Sequence, residues 1–338
     1  MRPTLVLFST LLAAAALAAC GGSTPPTGDD DTPPTDAPGG DHDGSSTGDA
    51  APEGPCGTIV DETGWTRLVA RTWTLEAGQP DTYKCVRVRV EQDMLITQMR
   101  ALAPLGTHHT VVTIKDTLSG NDREGEYDCA AFSVDPQMLF ASGVGSNDLV
   151  TPDGVAIQVR AGQYVNLNLH LFNASDNALA CESGILVKTV PDRPGLQHAE
   201  MVFAGTFSIN IPPDGQPHTA QGGCSFNAPT NVFAYWPHMH QHATHQRVVL
   251  NQGGNDVVLH DDAYTFTEQK FYREAQPIAI AAGDSIQVTC TYENNDAERV
   301  CFGDSSTQEM CFTGLFRYPA TGQNIFSCTS GNPGFCPP

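Results

Sequence analysis

Tyr164-Val165-Asn166-Leu167-Asn168-Leu169-His170-Leu171-Phe172 alternates without a break. Side chains two apart on a β-strand share a face. Val165, Leu167, Leu169 and Leu171 therefore form an apolar face, and Asn166, Asn168 and His170 the opposite one. Ala161-Gly162-Gln163 turns the chain just before it. Working outward, residues 84–90 alternate polar and apolar, and 94–99, 110–114, 155–160 and 185–190 read as further short strands. The pattern resumes at 199–209, 232–236, 247–250, 257–260, 278–280, 285–292 and 310–317. No long stretch keeps a 3.6-residue period, so the expected fold is all-β, built as antiparallel β-sandwiches. Val190-Pro191-Asp192-Arg193-Pro194-Gly195 breaks both helix and strand. It divides the strand-rich part into two expected domains, 56–193 and 194–338.

The chain has 338 residues, with 17 basic and 38 acidic side chains and a formal net charge of -21. That balance argues against nucleic acid or an anionic lipid surface as a partner. Residues 1–19 read as a secretion signal, with Arg2 ahead of an apolar core at 5–17 that is too short for a comfortable membrane span. Leu17-Ala18-Ala19-Cys20-Gly21 resembles a bacterial lipobox, which implies a lipid on Cys20 as the only membrane attachment. Gly21 fits an outer-membrane address in the cell envelope. Residues 20–55 are rich in Gly, Pro, Asp, Ser and Thr and read as a disordered acidic tether. Eleven scattered cysteines without CxxC pairs point to an oxidising compartment, and setting Cys20 aside leaves an even number to pair.

Tyr235-Trp236-Pro237-His238-Met239-His240-Gln241-His242 follows the apolar run 232–235. His238 and His240 stand at i and i+2, so one metal ion can hold both. Met310 offers a soft thioether beside Cys311, and a His-His-Met set suits redox copper. His108, His109 and His170 make a second set acceptable to copper or zinc. Adjacent residues on a strand point apart, so His108 and His109 reach one ion only through a twist or bulge. His242 and His245 compete as ligands. His198, His218 and His260 show no partner pattern. A zinc hydrolase would want a carboxylate base, and no Asp or Glu lies near residues 238–245 in sequence.

These motifs, in this order, resemble the copper type II, ascorbate-dependent monooxygenases, which include peptidylglycine α-hydroxylating monooxygenase and dopamine β-monooxygenase. The resemblance runs from about Asp81 to about Cys328. It rests on Thr107-His108-His109-Thr110, Asn168-Leu169-His170, Ile211-Pro212-Pro213, Val232-Phe233-Ala234-Tyr235, His238-Met239-His240, Ala282-Gly283-Asp284 and residues 305–311. It implies two jelly-roll-like β-sandwich domains in tandem and two copper ions per chain. His108, His109 and His170 would hold the electron-transfer copper. His238, His240 and Met310 would hold the catalytic copper that meets O2. Ascorbate or another reductant would be co-substrate. It also implies disulfides Cys85–Cys181, Cys224–Cys328 and Cys290–Cys311. It leaves Cys56, Cys129, Cys301 and Cys336 open, for which Cys56–Cys129 and Cys301–Cys336 keep each bridge within one domain.

The chain departs from the peptide-hydroxylating member at both of its substrate-carboxylate anchors. Trp236 stands where that enzyme has arginine, and Gly314 where it has tyrosine. Trp236 and Gly314 thus mark an altered substrate pocket, with an apolar or aromatic wall. The expected activity is hydroxylation of a C–H bond of a small-molecule substrate by a monomer. The alternative is a non-catalytic copper-binding lipoprotein for storage or sensing.

Overall fold

The structure is a computed structural model that describes residue 56 and residues 63–131, 133–143, 145–303 and 305–332. The leader 1–19, Cys20, the tether 20–55 and Cys336 lie outside the described residues. Among the described residues there are strands and turns and no helix.

The first half packs two sheets. One contains Thr66–Leu75, Leu179–Thr189, Met94–Leu102 and Val155–Val159. The other contains Gly125–Asp128, Thr82–Arg89, Tyr164–Leu171, Thr107–Lys115 and Gln137–Gly143. Val165, Leu167, Leu169 and Leu171 are fully buried between them, beside Trp73, Leu75, Ile96 and Met99. The alternation at 164–172 thus has its apolar face in the core. Burying one such side chain contributes roughly 1.5–3 kcal/mol.

The second half packs a sheet of Gln197–Thr206, Cys311–Tyr318, Thr230–His238 and Tyr272–Ile280 against a four-stranded sheet. That partner contains Pro217–Ser225, Ser285–Glu293, Ala243–Gln252 and Asn255–Ala263. Val202, Ala204, Val232 and Leu315 meet Val248, Leu250, Ile286 and Val288 there. The opposite face of the first of these sheets is also buried. Met201, Phe203, Trp236, Phe312 and Phe316 join the hydrophobic cluster of the first half. Gln197–Thr206 is the seam. It pairs in parallel with Val155–Val159, meets Gln137–Gly143 at Met201 and Met138, and then runs antiparallel to Cys311–Tyr318.

The strands Thr66–Leu75, Gln137–Gly143 and Pro217–Ser225 are absent from the sequence reading. The first hides its period because Arg71 stands on the buried face among Val69, Trp73 and Leu75. Its Nη1 donates there to the carbonyls of Cys85 and Tyr127, each at 2.6 Å, and the Glu126 carboxylate lies 3.4 Å from its Nε.

Cys224–Cys328 and Cys290–Cys311 form as expected. The other two pairings are corrected: Cys85 bonds Cys129 rather than Cys181, and Cys56 bonds Cys181 rather than Cys129. The reason is register. Thr82–Arg89 pairs with Gly125–Asp128, placing Cys85 opposite Tyr127, and the Cys129 N–H then donates to the Tyr83 carbonyl at 3.4 Å. Cys181 lies in the other sheet, opposite Trp73. Cys301 is disulfide-bonded, and its expected partner Cys336 lies outside the described residues. Peptide mapping without reduction will recover Cys85–Cys129 and Cys56–Cys181. Removing Cys290–Cys311 by double alanine substitution will cost about 3 kcal/mol in denaturant unfolding.

Candidate metal centre

Thr107–Lys115 and Tyr164–Leu171 pair antiparallel, with His109 opposite His170 and a register shift between Thr107 and His109. The shift falls at His108, where the sequence requires a bulge. It lets adjacent histidines share a side, with ring centroids 4.2 Å apart. One ring nitrogen from each of His108, His109 and His170 lies within 4.8 Å of the others.

The hydrogen bonds decide which nitrogens face inward. The Asp81 carboxylate accepts from His170 Nε2–H at 2.9 Å, so His170 Nδ1 carries the lone pair. That atom is 3.4 Å from His109 Nδ1. His108 Nδ1 is buried with no hydrogen-bond partner in the protein. A buried polar atom left without a partner is costly, and a metal ion would satisfy it. The three histidines therefore fit a metal held through Nδ1 atoms.

The second cluster uses the other nitrogen. His238 ends the strand Thr230–His238 and donates from Nδ1 to Gln269 Oε1 at 3.0 Å. His240 donates from Nδ1 to the Gln308 carbonyl at 3.0 Å. Each keeps an Nε2 lone pair for a ligand, with its tautomer fixed by the partner on the far side of the ring. Their ring centroids are 5.3 Å apart. Met310 borders the same cavity, and its carbonyl accepts from the Tyr292 hydroxyl at 2.8 Å. Two imidazoles and a thioether suit a soft, redox-active metal.

Burial pushes the His108 imidazole down to about 4, with the neighbouring His170 adding to the effect. Burial likewise lowers His238 to about 4 and His240 to about 3. His109 and His170 are lowered mainly by burial as well. All five are neutral near pH 7, the form that binds metals.

Both clusters open on one cavity of about 770 Å³, including its mouth. His109 and His170 line it together with His238, His240 and Met310. His109 and His238 have ring centroids only 5.8 Å apart. Phe203, Trp236, Phe312 and Phe326 make an aromatic wall, and among the described residues the lining carries no Arg or Lys. Trp236 stacks on His238 with centroids 4.7 Å apart. Gly314 stands one layer back, pairing with both Phe203 and Trp236. A Cβ there would collide with the Met201 methyl.

Several supporting residues escape sequence reading. Glu309 is fully buried. Its carboxylate accepts from the His240 N–H at 2.9 Å and the His242 N–H at 2.7 Å, which fixes the loop that carries His240. Burial raises the Glu309 carboxyl, and the His242 imidazole beside it pulls the other way. No acidic residue is near 238–245 in sequence, yet the fold supplies this one, aimed at backbone rather than at the cavity. His242 sits between Asp296 at 2.9 Å and Glu309 at 3.4 Å, and His245 pairs with Asp261 at 3.2 Å. Neither lines the cavity. Gln269 and Phe266 come from the loop after Asn255–Ala263, and Phe266 packs over His108 at 4.6 Å. Only proximity to Met310 in sequence could have drawn attention to Glu309; nothing marks Gln269. Glu309→Gln puts an amide N–H against a backbone N–H, so it should cost about 1–3 kcal/mol of stability. It should also weaken metal binding at the second cluster by about 10- to 100-fold. Thermal unfolding and metal titration check both.

The comparisons with known proteins agree with this geometry. Residues 197–334 match the family described as "Copper type II ascorbate-dependent monooxygenase, C-terminal domain". "Putative DBH-like monooxygenase protein 2" of Homo sapiens is 29% identical over 217 residues, covering 59% of this chain and 43% of that protein. "DBH-like monooxygenase protein 1" of Gallus gallus is 24% identical over 214 residues, covering 57% and 34%. "Tyramine beta-hydroxylase" of Caenorhabditis briggsae is 26% identical over 151 residues, covering 41% and 25%. The chain thus spans less than half the length of these relatives. The solved structure of PBCV-1 VP54 is a loose likeness, with a TM-score of 0.23 and 9% identity over 81% of this chain and all of that one, and carries no argument. The C-terminal match and these relatives, taken with the two histidine clusters, support the copper type II, ascorbate-dependent monooxygenase family for this chain.

Proposed function

We propose that the chain is a copper-dependent monooxygenase that hydroxylates a C–H bond of a small, uncharged organic substrate. The observation that carries this reading is the shared cavity. Four imidazoles and a thioether, in two chemically unlike sets, face one apolar space. Copper bound there supplies one-electron chemistry toward O2 and carbon, and a reductant such as ascorbate supplies two electrons that send the second oxygen to water.

The protein's own part is ligand identity, orientation and shape. His108, His109 and His170 present a hard, all-nitrogen set through Nδ1. His238 and His240 present Nε2 beside the soft Met310 sulfur. Asp81, Gln308 and Gln269 orient the rings from behind. Phe203, Trp236, Phe312 and Phe326 exclude water and favour an apolar or aromatic substrate face. With no cation in the lining, a substrate carboxylate has no partner, so a carboxylate-terminated peptide is disfavoured.

A storage or sensing protein would need the ligands but not the aromatic cavity between them. The disulfides among the described residues support an oxidising compartment, as an envelope lipoprotein would have. Metal analysis of the full chain should find two coppers. Oxygen uptake with ascorbate should rise with small neutral aromatic compounds, against controls carrying a carboxylate. Met310→Ala should abolish that uptake while the first cluster keeps its copper. Unchanged uptake in Met310→Ala would remove the thioether from the site, and two bound coppers with no uptake for any substrate would favour storage.

A further inference from the structure

A single side chain joins the two clusters. Gln269 Nε2 donates to His109 Nε2 at 2.8 Å, and Gln269 Oε1 accepts from His238 Nδ1 at 3.0 Å. The amide cannot be turned round freely, because its nitrogen also faces the Phe266 carbonyl at 3.3 Å, which can only accept. Its backbone is pinned too, the Gln269 carbonyl accepting from the Ser146 hydroxyl of the first half. Gly143 lets it come this close, since a Cβ there would lie 2.8 Å from Gln269 Cβ.

Five groups therefore form one chain of hydrogen bonds, and its two ends fix every donor. Asp81 only accepts, so His170 Nε2 holds a hydrogen and His170 Nδ1 accepts. His109 Nδ1–H is then the donor across the 3.4 Å contact, leaving His109 Nε2 to accept from Gln269. Gln269 Oε1 in turn requires Nδ1–H on His238.

We propose that Gln269 is a positioning residue that makes the two clusters sense one another. Its bond to His109 exists only in the Nδ1–H tautomer of that ring, so a metal on His109 Nδ1 and the Gln269 bond exclude each other. This rests on the two-site reading above. A metal on Nδ1 moves the ring hydrogen to Nε2, where it meets the Gln269 amide hydrogens, donor against donor. Turning the amide would satisfy His109 but set its NH2 against His238 Nδ1–H. A metal on His238 Nε2 locks that hydrogen in place. Filling the second cluster thus pins the amide in the orientation that opposes metal at the first. By linkage the penalty is reciprocal. One hydrogen bond's net worth makes it about 3- to 10-fold in affinity.

The test measures Cu(I) affinity of the full chain against a chromogenic chelator. X-ray absorption tells the clusters apart, because only the second supplies sulfur. The first cluster should bind copper about 3- to 10-fold more weakly in the wild type than in Met310→Ala, where the second ligand set is broken. Gln269→Ala should erase that difference. Gln269→Glu should also erase it while strengthening copper binding at the first cluster, because a carboxylate has no orientation to pin and accepts from His109 Nε2–H and His238 Nδ1–H together. A role in packing alone would not predict that gain. In the metal-free wild type, nitrogen–proton correlation spectra should show His109 as the Nδ1–H tautomer, a readout that needs no variant. Equal first-cluster affinity in wild type and Met310→Ala, a difference that survives Gln269→Ala, or His109 as the Nε2–H tautomer would overturn the coupling. A wild type that binds only one copper would instead overturn the two-site reading, and the coupling with it.

Discussion

Met201 and Phe203 point into one hydrophobic cluster, while Val202 and Ala204 point into the other. Cys311–Tyr318 does the same, with Phe312 and Phe316 on one side and Leu315 on the other. A sheet buried on both faces has no free side on which to slip, because a one-residue shift would exchange its two cores. That constraint fixes where the second half meets the first. It sets His238 at the end of one of these strands, with Met310 immediately before another. The closeness of the two histidine clusters follows from this shared sheet rather than from any attraction between them.

Neutral imidazoles have little to offer each other without a metal. Burial strips them of charge, and the protein then orients His170, His238 and His240 from behind with acceptors. Asp81 does this for His170, the Gln308 carbonyl for His240 and Gln269 for His238. The first cluster is left with Nδ1 atoms inward and the second with Nε2 atoms and a sulfur. Under the two-copper reading proposed above, this difference in donor atoms would separate a harder site from a softer one within a single cavity.

Much of this was legible in the chain. The alternation at 164–172 located both a core strand and His170, because a strand with one apolar face leaves no ambiguity of period. The adjacent pair His108 and His109 demanded a bulge, and the register shift is there. The i, i+2 spacing of His238 and His240 suggested a common face, and both line the cavity. What could not be read was whatever depends on pairing between distant strands. Gln137–Gly143 is buried along nearly its whole length and so shows no alternation. Pro217–Ser225 is polar and glycine-rich, and Gly222 is needed where a Cβ would strike the Gly205 carbonyl. Cys85 could choose between Cys129 and Cys181 only once its strand had a neighbour. Glu309 and Gln269 carry no local signal, since each acts on residues far away in sequence.

The central claim is that two unlike ligand sets share one cavity, and that only one of them contains sulfur. Copper K-edge X-ray absorption of the reduced, fully loaded protein reads this directly. The account predicts nitrogen ligation at every copper and one sulfur neighbour for every two coppers. A spectrum with no sulfur, or with sulfur at both coppers, would contradict it.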